Sequence, residues 1–306
     1  MKPFITAYKD EVKELVRNAS QDAVVTPKNV FQEGRKTNKP LIKKIVNELL
    51  LTGSGIEGYE NLVELYRHAQ EGKTCLLLMQ HMSNFDIPNW YELLERQGPE
   101  GEKIAEAIIS IAGLKLNEEN DLVRSFTEAF TRIVIFPSSA LKGIEDPEEL
   151  KEAKSKRMSI NMAALWQIMR MKSKGHIILV FPTGTRYRPW DPSTKRGLIE
   201  VYPYIKSFNY MVLVSINGNT LRLNPNGKME EDLATEDVVI YSVSKVYACK
   251  DYRHELVKNE GHHPHQKQYV IDYIMAELDH MHDRAEPKRK KLLSDLGRTP
   301  DDPAAG

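Results

Sequence analysis

The sequence predicts an α/β fold, a mainly parallel mixed sheet flanked by helices, with a small helical domain ahead of it. Three observations predict it. Short continuous apolar runs at 74–79 and 177–181 suit strands buried on both faces. Helical patterns alternate with such runs from residue 56 onward, which places helices on both sides of a parallel sheet. The first 55 residues carry helical spacing instead. The expected organisation is therefore a helical N-terminal domain at 1–55 and an α/β domain at 56–306.

Taken in order, Phe4, Tyr8, Val12, Leu15 and Val16 form one helical stripe, and Leu41, Ile45, Val46, Leu49 and Leu50 form another. Thr26-Pro27, Gly34 and Pro40 punctuate the interval between them. Gly53-Ser54-Gly55-Ile56-Glu57-Gly58 matches the glycine spacing of dinucleotide-binding turns. That motif needs a strand before it, and the preceding 42–50 has helical spacing, so a flexible linker is expected. A helix over 61–71 leads to a strand over 73–80, and a helix over 88–97 follows. Further strands are expected at 131–136, 176–181, 210–216 and 238–246, with helices at 151–172 and 267–282. Trp90, Trp166, Met158, Met162, Met169 and Met171 fall in helical patterns and are expected mostly in the core, some lining a cleft. The 288–291 run, Lys-Arg-Lys-Lys, reads as a solvated helix face.

Composition narrows the function. Of 306 residues, 43 are Lys or Arg and 43 are Asp or Glu, so the formal net charge is zero. Dedicated nucleic-acid binders draw affinity from phosphate neutralisation, so none is expected here. Two cysteines, Cys75 and Cys249, are too few for a disulfide framework and point to a reducing, cytoplasmic location. No apolar run approaches the ~20 residues of a spanning helix, and no secretory leader is visible. Membrane contact is expected to be peripheral at most.

Two polar clusters follow strands. The first is His81-Met82-Ser83-Asn84-Phe85-Asp86, with Pro88 in the first turn of the next helix. Open α/β sheets bind ligands beyond the carboxyl ends of their strands. A turn there lets Asp86 fold back on His81, fix its tautomer and leave the other ring nitrogen as a base. The second cluster is Phe181-Pro182-Thr183-Gly184-Thr185-Arg186-Tyr187-Arg188-Pro189, in which two guanidinium forks suit phosphate or carboxylate. Gly261-His262-His263-Pro264-His265 carries histidines but reads as a surface loop, since zinc sites need further ligands.

Together these stretches resemble the glycerolipid acyltransferase family, which carries H-x-x-x-x-D after one strand and an F-P-x-G-T-R turn after a later one. Gly58, Glu60, Asn61 and Leu62 resemble a segment commonly upstream of the family histidine. Thr185-Arg186-Tyr187-Arg188-Pro189 followed by Asp191-Pro192-Ser193-Thr194 is most similar to the soluble plastid-type glycerol-3-phosphate acyltransferases, which also have an N-terminal helical domain. The resemblance covers about residues 55–250. It departs at Thr183, where relatives acting on lysophosphatidate usually have Glu, and after 132–136, where a Lys-His pair is replaced by a stretch offering only Lys142.

The resemblance implies an enzyme of phospholipid synthesis that moves a fatty acyl group from an acyl-CoA or acyl carrier protein thioester to the sn-1 hydroxyl of glycerol 3-phosphate. His81 and Asp86 are the expected catalytic pair. Arg186, Arg188 and Lys142 are expected to hold the phosphate, with Thr183 and Gly184 supplying backbone donors. No metal or redox cofactor is implied. The alternatives are a 1-acylglycerol-3-phosphate acyltransferase and a non-catalytic lipid-binding protein that keeps the arginines without needing His81.

Overall fold

The computed structural model describes residues 1–19, 24–118, 121–227, 231–260 and 265–299. The strands in chain order are β1 (Lys2–Pro3), β2 (Phe31–Gln32), β3 (Gly55–Glu57), β4 (Cys75–Met79), β5 (Ile108–Gly113) and β6 (Arg132–Ile135). They continue with β7 (Ile177–Val180), β8 (Tyr210–Asn217), β9 (Leu221–Arg222), β10 (Leu233–Ala234), β11 (Ile240–Val243) and β12 (Tyr247–Ala248). The main sheet has the order β2-β6-β5-β7-β4-β8-β11-β3, with β12 also paired to β8. Its five central strands, β6 to β8, run parallel, and every residue of β4 and β7 is buried. Helices cover both faces, as burial on both sides requires. Strand β2 is antiparallel to β6, and β11 is antiparallel to β8, so the sheet is mixed.

One layer of core joins Leu77, Leu179 and Val214 to helix Tyr59–Gln70 and helix Asp86–Glu95. The other joins Leu78, Ile178 and Leu213 to helix Pro147–Lys172 and helix Gln266–Asp295. Asp146 caps Pro147–Lys172 by accepting from the Glu149 amide at 2.8 Å, with Pro147 suited to the first turn. No helix among the described residues is long and apolar enough to cross a membrane.

The N-terminal helices form as their apolar spacing predicts, at Phe4–Ala7, Lys9–Arg17 and Lys39–Leu49. They are not set apart as a unit, however. Phe4, Leu15, Ile45 and Leu49 belong to the same apolar cluster as Leu77 and Leu179. Strand β1 pairs with β10 in a separate three-stranded sheet, and β2 edges the main one.

The glycine-rich 53–58 segment is not a linker. Its Gly55–Glu57 forms the edge strand β3, parallel to β11. At Gly58 the chain turns with φ +70°, and a Cβ there would lie 2.4 Å from the Val243 carbonyl oxygen. Gly58→Ala is accordingly expected to destabilise the protein by about 1–3 kcal/mol in urea unfolding.

Other differences from expectation concern what the helices bury. Trp90 is in the core, but Met158, Met162, Trp166 and Met169 are exposed. The last helix runs past 282 and through Pro287 to Asp295. Its basic run is not uniformly solvated: Arg289 is buried, donating to both Asp237 carboxylate oxygens at 2.7 Å and to Glu286 at 2.8 Å. Histidines 262 and 263 lie outside the described residues.

Both cysteines are buried, and burial pushes each thiol up to about 12. The thiolate is the reactive form. A disulfide reagent at mild alkaline pH is therefore expected to leave both unmodified in the folded protein and to titrate both after unfolding.

Candidate functional site

Strands β4 and β7 are parallel neighbours, with Leu78 opposite Val180, so their following loops emerge side by side. The Tyr187 amide donates to the His81 carbonyl at 2.8 Å and ties the two loops together. This adjacency explains why two motifs a hundred residues apart in sequence form one site.

His81 Nδ1 lies 2.8 Å from Asp86 Oδ2. The same oxygen accepts from the Met82 amide at 2.7 Å and the Ser83 amide at 2.9 Å. An acceptor already facing two donors makes Nδ1 the donor, and in the neutral tautomer that this favours Nε2 keeps its lone pair. Asp86 is 2% exposed and opens helix Asp86–Glu95, where the helix dipole favours a carboxylate. Its own carbonyl accepts from the Tyr241 hydroxyl at 2.7 Å. The imidazole stacks on Phe181 with centroids 4.0 Å apart. Carboxylate below and ring alongside fix the imidazole in one orientation.

The histidine borders two cavities. One, of about 920 Å³, is mainly apolar and takes in Phe85, Phe126, Ile168, Val180 and Phe208 besides His81. Its lining is drawn from both core layers. The other, of about 110 Å³, has mostly polar and charged residues around it, His81 and Gln80 with the cations Lys195, Arg222 and Arg289 and the carboxylates Asp237, Asp279, Asp283 and Glu286, and Thr183 lines it too.

The remaining expected residues divide between these spaces and the loop itself. Gly184 and the exposed Lys142 line the large cavity, while Thr183 lines the small one. Gly184 has φ +63° and lies so close to Leu198 that a Cβ would approach its side chain to 2.6 Å. Its amide already donates to the Phe181 carbonyl at 3.0 Å, so it is engaged in the turn and is not the backbone donor expected for an oxyanion. The Thr183 hydroxyl donates to the Thr185 carbonyl at 2.6 Å.

The arginines depart further from expectation. Arg186 is buried and forms an ion pair with the buried Asp232. Burial holds the Asp232 carboxyl above its ordinary value despite the opposing pull of Arg186. Arg188 donates to the Thr185 hydroxyl at 3.3 Å, and its amide donates to Thr194 at 2.9 Å. Neither arginine is among the residues lining the two cavities.

Sequence reasoning missed Phe181 as the stacking partner, although it stands at the head of the second motif. It also missed Asp232, which lies 46 positions from Arg186 and carries no local signal. No protein-family model matches the chain, and no curated protein matches it in sequence.

Proposed function

We propose that the chain is an acyltransferase moving a fatty acyl group from a thioester to the sn-1 hydroxyl of glycerol 3-phosphate. The observation that carries this reading is one oriented imidazole standing between a large apolar cavity and a small one ringed mainly by polar and charged residues. An acyl chain suits the first, and a small polyol suits the hydrogen-bonding groups of the second, where Lys195 is a cation within reach of a phosphate. The resemblance of the His81–Asp86 and Phe181–Arg186 stretches to glycerolipid acyltransferases supports the same reading.

In this mechanism His81 Nε2 takes the acceptor hydroxyl proton as the oxygen attacks the thioester carbonyl. Asp86 stabilises the imidazolium that results. The tetrahedral intermediate collapses by breaking the carbon–sulfur bond, and the departing sulfur recovers the proton from His81. The side chains of this chain argue for direct transfer. Ser83, the serine within the histidine loop, is buried and donates to the Leu221 carbonyl at 2.8 Å, and both thiols are buried. An activated nucleophile is hydrogen-bonded to its base, and among the described residues no hydrogen bond joins Ser83 or Cys75 to the His81 ring.

For the acceptor phosphate, the lining of the small pocket points to Lys195. Its 3.0 Å pair with Asp279 is half-exposed, and such pairs contribute little, so the ammonium can exchange Asp279 for phosphate. Arg289, also in that lining, is fully engaged by Asp237 and Glu286. Lys195→Met is expected to raise the KM for glycerol 3-phosphate severalfold and that for the acyl donor little, read from initial rates.

The direct test is thiol release by purified protein with acyl-CoA and acyl carrier protein donors, against glycerol 3-phosphate and lysophosphatidate. No acceptor-dependent release with any pair would end the acyltransferase reading in favour of a lipid-binding protein. Faster acylation of lysophosphatidate would reassign the acceptor and leave the reaction standing.

A further inference from the structure

Helix Pro147–Lys172 presents an apolar stripe to the outside. Met158, Met162, Leu165, Trp166 and Met169 recur at spacings of four, three, one and three residues, which places them on one face. Trp166 and Met158 are each 68% exposed, and the other three are about half exposed. The opposite face buries Ile160, Ala164, Ile168 and Met171 against the sheet. Over an axial span of about 16 Å, large apolar side chains therefore stand in solvent where core packing gives no reason for them.

Along the chain through the stripe the charge has one sign. From 153 to 175 the chain carries Lys154, Lys156, Arg157, Arg170, Lys172 and Lys174 and no acidic residue. Lys156 pairs with Glu118 at 3.4 Å on the exposed surface, and Lys172 reaches the Ser207 carbonyl. Lys154, Arg170 and Lys174 are exposed. A cationic helix with Trp and Met on one face matches the chemistry of the headgroup boundary of an anionic bilayer. The stripe is also continuous with the large cavity, which Leu165 and Met169 help to line. The exposed Leu198 is a further apolar side chain in that lining.

We infer that helix Pro147–Lys172 lies on anionic phospholipid and brings the large cavity to the membrane surface. A bilayer is favoured over an acidic protein because the apolar component is large and faces outward between cations at both ends. A charge-only contact would not need five exposed apolar side chains. Transfer of a long acyl chain between cavity and lipid would then avoid water.

The test is sedimentation of the full chain with vesicles of phosphatidylcholine alone and of phosphatidylcholine mixed with phosphatidylglycerol. Wild-type protein is expected to bind the mixed vesicles at least about tenfold more tightly than the neutral ones. Trp166→Glu, with circular dichroism showing an intact fold, is expected to weaken that binding by a further factor of about ten. Lys154→Glu combined with Arg170→Glu and Lys174→Glu should abolish the preference for anionic lipid. None of these side chains lines either cavity, so turnover on a short-chain, water-soluble donor should stay unchanged. Failure of the wild type to bind mixed vesicles, or equal binding by Trp166→Glu, overturns the inference, as does retention by an acidic carrier protein in place of vesicles. Vesicle binding needs no turnover, so its outcome is separate from that of the acyl-transfer assay.

Discussion

Replacing His81 with alanine is expected to lower kcat by about 10²–10⁴, the range general-base catalysis commonly contributes. The fold should survive, since the imidazole is half-buried and only one side-chain hydrogen bond goes with it. Asp86→Asn should fall in the same direction for a different reason. An amide in place of the carboxylate cannot stabilise an imidazolium, and one rotamer would point its NH2 group at the donors it faces. Thermal unfolding and rate measurements on the same preparations separate the two cases. A folded His81→Ala protein with near-normal turnover would remove the proton-transfer role from this residue, whatever the substrate proves to be.

The second large effect is expected on stability. Arg186→Ala leaves the buried Asp232 carboxylate without its guanidinium, which should cost about 3–5 kcal/mol in denaturant unfolding. Asp232 also accepts from the Asn224 amide at 3.2 Å and from Asn84 at 3.4 Å, so the loss should loosen the loop after the histidine. Pairing Arg186→Met with Asp232→Leu should recover much of that stability, because two groups of opposite charge are then removed together. A different result is equally informative. If Arg186→Ala unfolds normally but raises the KM for a phosphorylated acceptor, the guanidinium serves the substrate and not the loop.

The legible part of this chain was the part whose signals are local. Strands β4 and β7 announce themselves by unbroken apolar runs, because a strand buried on both faces has no polar position. The turn at 81–86 could be read because Pro88 marks the start of the following helix. Strand β5 escaped notice because helix Pro99–Ala107 passes into it without a loop, and Ile108 serves as the C-cap of one and the first residue of the other. Strand β3 escaped because it is three residues long and its partner begins at Ile240. Asp232 was invisible for the same reason: an ion pair between distant segments leaves no spacing in the sequence. The stripe on helix Pro147–Lys172 was legible as periodicity, but periodicity alone does not say which apolar face is buried. Ile160, Ala164, Ile168 and Met171 took the core and left Trp166 outside.

The way the first residues enter the sheets bears on how the protein can be made. Among the described residues strand β1 pairs only with β10, and β3 only with β11, so both wait for partners more than 180 positions downstream. At about 5–20 residues per second, a ribosome needs roughly 10–40 seconds to supply them. Through that interval the apolar side chains of Phe4, Leu15 and Ile45, all destined for the common core, lack their final neighbours. The nascent chain thus holds an open, sticky N-terminal segment for much of its synthesis, which is the kind of client a holding chaperone takes. Faster elongation or co-expressed chaperone should raise the soluble yield, while a stronger N-terminal helix alone should do little.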